Sequence, residues 1–303
     1  MKYAVISDIH GNDIALSNVI RDAKKHGVDA WIFAGDYCID APWPKEVIET
    51  LQSMENAFIV RGNEEKLLHI PEGDDGQFEI SRWCRRQLFS GHIDWLDSLP
   101  ESLQIEDASS TIYLTHKSEK FIGTVEYDNF GPALIAERNI FIPHEEMLSM
   151  IDRILDNDSA FLSAAKQIPK GIYIFGHSHI QWHKETDGRF FINPGSCGQP
   201  LDCEEFGAPY TLLTVNETGI CIDERRVRYD VSDLIHKVKE TSQYREARVW
   251  SEITFREWTK SRDYIDSFLA FANEYANRIG DGRRPIAKET WQDAYKAWLT
   301  CYN

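Results

Sequence analysis

The chain has 303 residues, of which 42% are hydrophobic and 27% charged, a composition typical of a globular protein with a sizeable core. Its formal net charge of −16 disfavours general binding to nucleic-acid polymers, because an acidic surface repels phosphate backbones. No apolar run approaches the ~18 residues of a membrane span, and the N-terminus enters a predicted strand rather than a secretory signal. We therefore expect a cytoplasmic protein whose six scattered cysteines are reduced, although Cys197 and Cys203 lie close enough in sequence to form a metal or redox pair.

The first 68 residues alternate between short apolar runs and amphipathic segments, which predicts the order β-α-β-α-β. The apolar runs at 3–10, 31–36 and 58–63 are typical of buried parallel strands. The segments 13–26 and 44–54 have the apolar spacing of helices, the first ending at Gly27 and the second beginning with Pro44.

The rest of the chain departs from this alternation. We expect helices within 71–100, strand character over 101–116, a loop or short helix at 117–143 and a helix at 144–166. Strands predicted at 171–175, 189–193, 210–215 and 220–228, without long helices between them, indicate a second, mostly antiparallel sheet. From about residue 231 the chain is predicted to be helical, with apolar stripes over 254–279 and 287–300.

Five apolar runs end in residues that commonly bind metal ions. Because open α/β sheets place their sites at the carboxyl ends of strands, we expect these side chains to meet at one sheet edge. Such a set of oxygen and imidazole donors suits two divalent cations, with Mn, Fe, Ni and Zn all compatible. The predicted ligands are Asp8, His10, Asp36, Asn63, His116, His177 and His179.

Several of these residues also have a simpler interpretation. Asp8 could cap the helix at 13–26, as could Asn12. Gly62-Asn63 is typical of a left-handed turn, and a lone histidine such as His116 is often structural. The pair His177 and His179 is the strongest single element, since two imidazoles two residues apart could face two cations about 3.5–4 Å apart.

The turn Asn193-Pro194-Gly195-Ser196 follows a predicted strand and allows two interpretations. Its backbone amides could face a phosphate oxygen, or it could be a tight turn that closes the second sheet.

Taken together, the motifs of this chain resemble those of the calcineurin-like metallophosphoesterases, in particular bacterial and archaeal diadenosine-tetraphosphatase-like and small phosphodiesterase members. The similarity covers roughly residues 1–245 and implies an α/β fold, an αββα sandwich of two packed mixed β-sheets flanked by helices. It leaves 246–303 as a C-terminal helical extension packed on that metallophosphoesterase domain. The matching motifs, in the family's order and spacing, are SDIHGN (7–12), GD (35–36), RGN (61–63), TH (115–116), GHSH (176–179) and NPGS (193–196).

The resemblance also implies how two metal ions would be held. One would be bound by Asp8, His10, Asp36 and His179, and the other by Asp36, Asn63, His116 and His177. Asp36 would bridge them together with a water or hydroxide that attacks phosphorus, which places Asp36 and His116 among the catalytic residues. The implied function is hydrolysis of phosphate mono- or diesters, with a nucleotide or another small phosphoester as substrate.

Two positions depart from the family pattern. Glu64 stands where the family usually has a histidine that either protonates the leaving oxygen or stabilises the transition state, so we expect substrates with good leaving groups. Lys117 replaces a glycine and could bind the substrate phosphate beside Asn63, crowd the site, or pair with Glu64. Arg61 is predicted to add a fixed positive charge near Asn63.

Two alternatives to a small-molecule phosphoesterase remain. A phosphoprotein phosphatase is disfavoured by the missing histidine and by the absence of an arginine after the second aspartate motif. A non-catalytic metal-binding module would use the aromatic C-terminal helices as its interaction surface, although such aromatic stripes usually pack on the parent domain. The filled ligand positions favour an enzyme, and the sequence leaves the oligomeric state open.

Overall fold

The computed structural model describes residues 1–107, 110–122, 142–204 and 207–301. Within these ranges ten strands form two five-stranded sheets, with the orders β10-β9-β1-β2-β3 and β4-β5-β6-β8-β7. The strands are β1 Lys2–Ile6, β2 Ala30–Phe33, β3 Ala57–Ile59, β4 Ser102–Asp107, β5 Ser110–Thr115, β6 Gly171–Ile174, β7 Gln181–Thr186, β8 Arg189–Pro194, β9 Ala208–Asn216 and β10 Gly219–Val227.

The described helices lie between β1 and β4, between β5 and β6, and after β10. A 3-10 helix, Glu64–His69, follows β3, where no element is predicted from sequence. The α-helices are α1 Asp13–Lys25, α2 Pro44–Gln52, α3 Glu79–Gln87, α4 Ser90–Ser98, α5 Glu119–Ile122, α6 His144–Asn157, α7 Ser159–Gln167, α8 Val231–Lys239, α9 Ser242–Glu246, α10 Arg248–Lys260, α11 Ile265–Arg278 and α12 Lys288–Cys301.

Both sheets are mixed. In the first, β1, β2 and β3 run parallel, with Val5 opposite Ile32, while β9 and β10 pair antiparallel at the β1 edge. In the second, β5, β6 and β8 are parallel, and β4 and β7 flank them antiparallel. This arrangement confirms the predicted α/β sandwich of two mixed sheets with a helical C-terminal region.

The apolar runs are continuous because each central strand is buried on both faces. Along β1, Tyr3 and Val5 pack in a core shared with residues of the second sheet, such as Ile112 and Ile174. The alternate residues Ala4 and Ile6 pack in a second core with helices of the first sheet's outer face. A third core, with α6 and α7, covers the outer face of the second sheet.

Three sequence expectations differ from the structure. The second sheet is not mostly antiparallel, and the strands predicted at 210–215 and 220–228 instead complete the first sheet as β9 and β10. The edge strand β7 was not predicted. The apolar stripe over 254–279 belongs to two helices, because Ser261 adopts a left-handed conformation (φ 47°) that ends α10.

The C-terminal helices pack largely on one another and on the sandwich. Phe268, Trp291 and Trp298 are fully buried in an aromatic cluster formed by α10, α11 and α12. Of the stretch 117–143, α5 and residues 117–118 and 142–143 are described, and 123–141 lie outside the described residues. No helix in the described ranges is both long and apolar enough to cross a membrane.

Candidate metal centre

All seven predicted ligands lie at one end of the sandwich, but they come from two sheets rather than one. Asp8 and His10 follow β1, while Asp36 and Asn63 follow β2 and β3 in the first sheet. The remaining three, His116, His177 and His179, follow β5 and β6 in the second sheet. The expectation of a single sheet edge is therefore wrong, because the packed sheets present their strand ends side by side.

Five of the seven ligands have a left-handed backbone, which residues other than glycine rarely adopt. The φ angles are 52° for Asp8, 52° for His10, 54° for Asp36, 69° for His177 and 60° for His179. Backbone hydrogen bonds stabilise these turns, for example from the amide of His10 to the carbonyl of Asp36 at 3.1 Å. Such local strain is concentrated at functional sites, where it fixes the direction of side chains.

The first cluster contains Asp8, His10 and His179. The Nε2 atoms of the two histidines lie 3.1 Å apart, and Nε2 of His179 is 3.4 Å from Oδ1 of Asp8. Asp8 is fully buried and His10 is 2% exposed, so bulk water does not screen the donor atoms of these two residues.

The second cluster contains Asp36, Asn63, His116 and His177. Nε2 of His116 lies 3.0 Å from the side-chain oxygen of Asn63 and 3.1 Å from Oδ2 of Asp36. The rings of His116 and His177 meet edge to face, with centroids 5.2 Å apart.

Asp36 lies between the two clusters. Its carboxylate belongs to two sets of donor atoms, one with His116 and His177 and the other with His10 and Glu64. Within each set the donor atoms lie within 4.8 Å of one another. Its Oδ1 also accepts the backbone amide of Glu64 at 2.9 Å. This is the position that a bridging ligand requires.

The contacts that Nδ1 makes determine the direction in which Nε2 of each histidine points. Nδ1 of His116 lies 2.7 Å from the carbonyl of Ala34, and Nδ1 of His179 lies 2.9 Å from the carbonyl of Gln199. A proton on each Nδ1 leaves the Nε2 lone pair facing the clusters, the arrangement in which histidine binds metals. The donor types, their burial and this orientation all fit the binding of divalent cations.

The metal-free electrostatics agree with this assignment. Although burial disfavours the charged imidazolium, the Asp36 carboxylate raises the pKa of His116 to about 9. Burial, with the positive charges of His116 and Lys117, lowers the pKa of His177 to about 3. A cation would take the place of the proton on His116, because a ligating imidazole must be neutral.

Glu64 lies inside the site. Its Oε2 is 3.1 Å from Nδ1 of His10, and burial raises its pKa to about 8. It occupies the position of the family's histidine, but its carboxyl is directed at a predicted ligand.

Arg61 and Lys117 lie at the margin. The guanidinium of Arg61 lies 3.9 Å from Asp97 and 3.5 Å from Glu101, both exposed carboxylates, and Arg61 does not line the cavity described below. The charge of Arg61 near the reacting phosphate therefore stays a prediction. Among the described residues Lys117 makes no ion pair with Glu64, and its charge acts on His177 instead.

The Asn193–Ser196 turn supports the ligand loops. The side-chain amide of Asn193 donates to the carbonyl of Gly176 at 2.7 Å, and the hydroxyl of Ser196 donates to the carbonyl of Asp8 at 2.7 Å. The amide of Gly195 is already bonded to the side chain of Asn193. The tight-turn interpretation therefore fits better than a phosphate-binding one.

A cavity of about 440 Å³ opens above the two clusters. Its floor includes His10, Asp36 and Asn63. Its walls combine apolar and acidic side chains, many of them from the C-terminal helices: Leu67, Phe78, Leu201, Trp250, Glu257, Asp263, Ile265 and Leu269. Pockets of this size bind small organic molecules.

Sequence reasoning missed the buried acids Asp40 and Glu257, which are 2% and 1% exposed. Asp40 could have been noticed, because it follows the GD motif after an apolar run. Glu257 carries no such signal, since an acidic residue in an amphipathic helix is ordinarily solvated.

These features define a class of protein, and the chain belongs to it: the Calcineurin-like phosphoesterase superfamily domain matches residues 1–218. A protein of Methanocaldococcus jannaschii, Uncharacterized protein MJ0912, is 26% identical over 251 residues, covering 78% of this chain and 90% of that protein. A metallophosphoesterase from Sphaerobacter thermophilus shares the fold with a TM-score of 0.60 and 22% identity, covering 86% of this chain and 100% of that one. The hypothetical protein PH1004 from Pyrococcus horikoshii shares the fold with a TM-score of 0.61 and 17% identity, covering 86% of this chain and 98% of that one.

Proposed function

We propose that the protein hydrolyses small phosphate mono- or diesters with two divalent cations bound at the strand ends. The observation that carries the proposal is the pair of buried donor clusters that meet at Asp36 beneath a cavity of about 440 Å³. Asp8, His10, Asp36 and His179 would hold one cation, and Asp36, Asn63, His116 and His177 the other. When bound, such cations lower the pKa of a bridging water and stabilise the negative charge that develops on the phosphoryl oxygens.

The chain's own residues supply orientation and enclosure. The carbonyls of Ala34 and Gln199 hold the imidazoles of His116 and His179 with Nε2 towards the clusters. The backbone amide of Glu64 holds one oxygen of Asp36, which leaves the other directed at His116.

Two features of the cavity bear on the substrate. Its size favours a small phosphoester, such as a nucleotide, over the phosphorylated loop of a protein. The carboxyl of Glu64 lies against His10 and is therefore poorly placed to protonate a departing oxygen. Substrates with good leaving groups, including activated diesters and aryl phosphates, follow from this arrangement.

The proposal also covers the domain organisation of the chain and its location in the cell. We assign residues 1–245 to the metallophosphoesterase domain and 246–303 to a helical extension packed on it. All six cysteines are free, four of them buried, which suits the reducing conditions of the cytoplasm.

The test is hydrolysis of matched aryl phosphate mono- and diesters by metal-stripped protein, with Mn²⁺, Ni²⁺, Zn²⁺ or Mg²⁺ added back. We expect turnover that depends on the cation and is abolished by Asp36→Asn. The ratio of monoester to diester rates then defines the substrate class. Cation binding without turnover of either ester would contradict the proposal and favour a non-catalytic metal-binding module.

A further inference from the structure

Both histidines of the first cluster contact groups that are in turn held by the C-terminal helix α10: the Asp40 side chain for His10 and the backbone carbonyl of Gln199 for His179. Both chains of contacts leave the region that matches the family, residues 1–218, and end at residues 250 and 257. The matched region therefore does not by itself complete the surroundings of these histidines.

The first chain runs through Asp40. Oδ2 of Asp40 lies 2.7 Å from Nδ1 of His10, and the indole N–H of Trp250 donates to Oδ1 of the same carboxylate at 2.5 Å. A second residue from the C-terminal region, Gln243, donates its side-chain amide to the carbonyl of Asp40 at 2.6 Å. Asp40 is 2% exposed and has a left-handed backbone (φ 65°), so these contacts determine where its carboxylate points.

The second chain runs through Gln199. Its carbonyl faces Nδ1 of His179 at 2.9 Å, and its side-chain amide donates to Glu257. The other oxygen of Glu257 accepts the amides of Tyr264 and Ile265, at 2.7 and 2.8 Å, where α11 begins. Glu257 thus joins α10, the start of α11 and the loop that positions His179.

We propose that α10 is a positioning element of the first cation site, acting on His10 through Trp250 and Asp40 and on His179 through Glu257 and Gln199. The inference rests on the proposed function, since it concerns the same cation site. Groups that orient metal-binding histidines typically change metal affinity 10- to 100-fold when removed. Because both chains end at the first cluster, the cation at Asn63, His116 and His177 should be less affected.

The experiment is titration of metal-stripped protein with Co²⁺. Binding is monitored by the absorption spectrum of the bound Co²⁺ and by calorimetry. We expect two equivalents in the unmodified protein. In Trp250→Phe, which removes the N–H and keeps an aromatic ring, one equivalent should weaken by about 10-fold or more. Glu257→Gln should weaken the same equivalent by a smaller factor, because the Gln199 carbonyl that faces His179 belongs to the backbone and is held by the chain on both sides as well as by Glu257.

The matched control is Trp258→Phe. Trp258 lies on the same helix, is 4% exposed, and its indole N–H has no hydrogen-bond partner among the described residues. Its replacement should leave both Co²⁺ affinities unchanged, which separates the loss of the Asp40 contact from a general loosening of α10.

A double-mutant cycle tests the route. If Trp250 acts through Asp40, the variant Trp250→Phe/Asp40→Asn should bind Co²⁺ no more weakly than Asp40→Asn alone. Additive losses, or unchanged affinities in both Trp250→Phe and Glu257→Gln, would overturn the inference and leave the proposed function intact. Absence of Co²⁺ binding by the unmodified protein would instead refute the proposed function itself.

Discussion

Replacement of Gly62 by alanine is the sharpest perturbation that the structure offers. A Cβ atom at this position would lie 2.0 Å from Oδ1 of Asp36 and 2.3 Å from its backbone nitrogen. Real Cβ atoms essentially never make contacts under 3.0 Å, so the gap must open from 2.0 Å to at least that distance. The φ angle of Gly62 lies outside the left-handed region, so the effect is one of space rather than backbone strain.

The distance by which Asp36 must move determines whether the variant Gly62→Ala can still bind the cations. Ligand distances in metal sites are set to within about 0.2 Å, and the required movement of Asp36 is several times larger. Because Asp36 belongs to both clusters, we expect Gly62→Ala to weaken the binding of both cations. Overpacking of this kind also costs about 1–3 kcal/mol in the free energy of unfolding.

Gly91→Ala is the matched control. Gly91 lies in α4, and apart from its chain neighbours and the backbone of that helix, no described heavy atom would come within 4 Å of a Cβ added there. This variant should be stabilised by about 0.4–1 kcal/mol, because alanine restricts the unfolded chain. Urea unfolding of the metal-free proteins and calorimetric cation titrations measure the two effects. Two cations bound by Gly62→Ala with unchanged affinity would refute the placement of Asp36 as the shared ligand.

Three further predictions concern the residues around the clusters. Glu64→His should raise kcat/KM for alkyl phosphates more than for aryl phosphates, by up to about 10²-fold, by supplying a proton donor; equal effects in the two series, or none, would contradict this. Arg61→Ala should change kcat/KM by less than about fivefold, because the ion pairs of its guanidinium among the described residues are with the surface carboxylates of Asp97 and Glu101, and a much larger loss would place it at the phosphate after all. Because the pKa of His116 is raised from 6.5 to about 9, the folded metal-free protein binds this proton more tightly than the unfolded chain. Its free energy of unfolding should therefore fall as the pH rises from 6.5 to about 9, and urea titrations should show a flatter profile for His116→Asn.

The ligand loops could be predicted because their signal is local. Each consists of an apolar run, read as a strand buried on both faces, followed at once by a carboxylate, amide or imidazole. The same local pattern arises in either sheet of a sandwich, which is why the sequence did not show that His116 and His177 belong to a different sheet from Asp8. The edge strand Gln181–Thr186 escaped prediction because its exposed, mostly polar residues form no apolar run.

The surroundings of the clusters could not be predicted, because they depend on contacts between distant parts of the chain. Asp40 and Trp250 are separated by 210 positions, and Gln199 and Glu257 by 58. Nothing in the periodicity of a helix indicates that one of its tryptophans will meet a particular loop carboxylate. The position of Arg61 likewise depends on where Asp97 and Glu101 fall, which its proximity to Asn63 in sequence does not indicate.

The origin of the ligands in two sheets has a consequence for the stability of the sandwich. A cation held by Asp8 and His179, or by Asp36 and His177, would be a cross-link between two layers that are otherwise joined across an apolar interface. At a free concentration one hundred times its dissociation constant, each cation would add about 2.7 kcal/mol to the folded state. Without its cations the protein would then be easier to open between its layers, with hydrogen exchange accelerating in the central strands β1 and β6, whose amides exchange only when the sandwich opens.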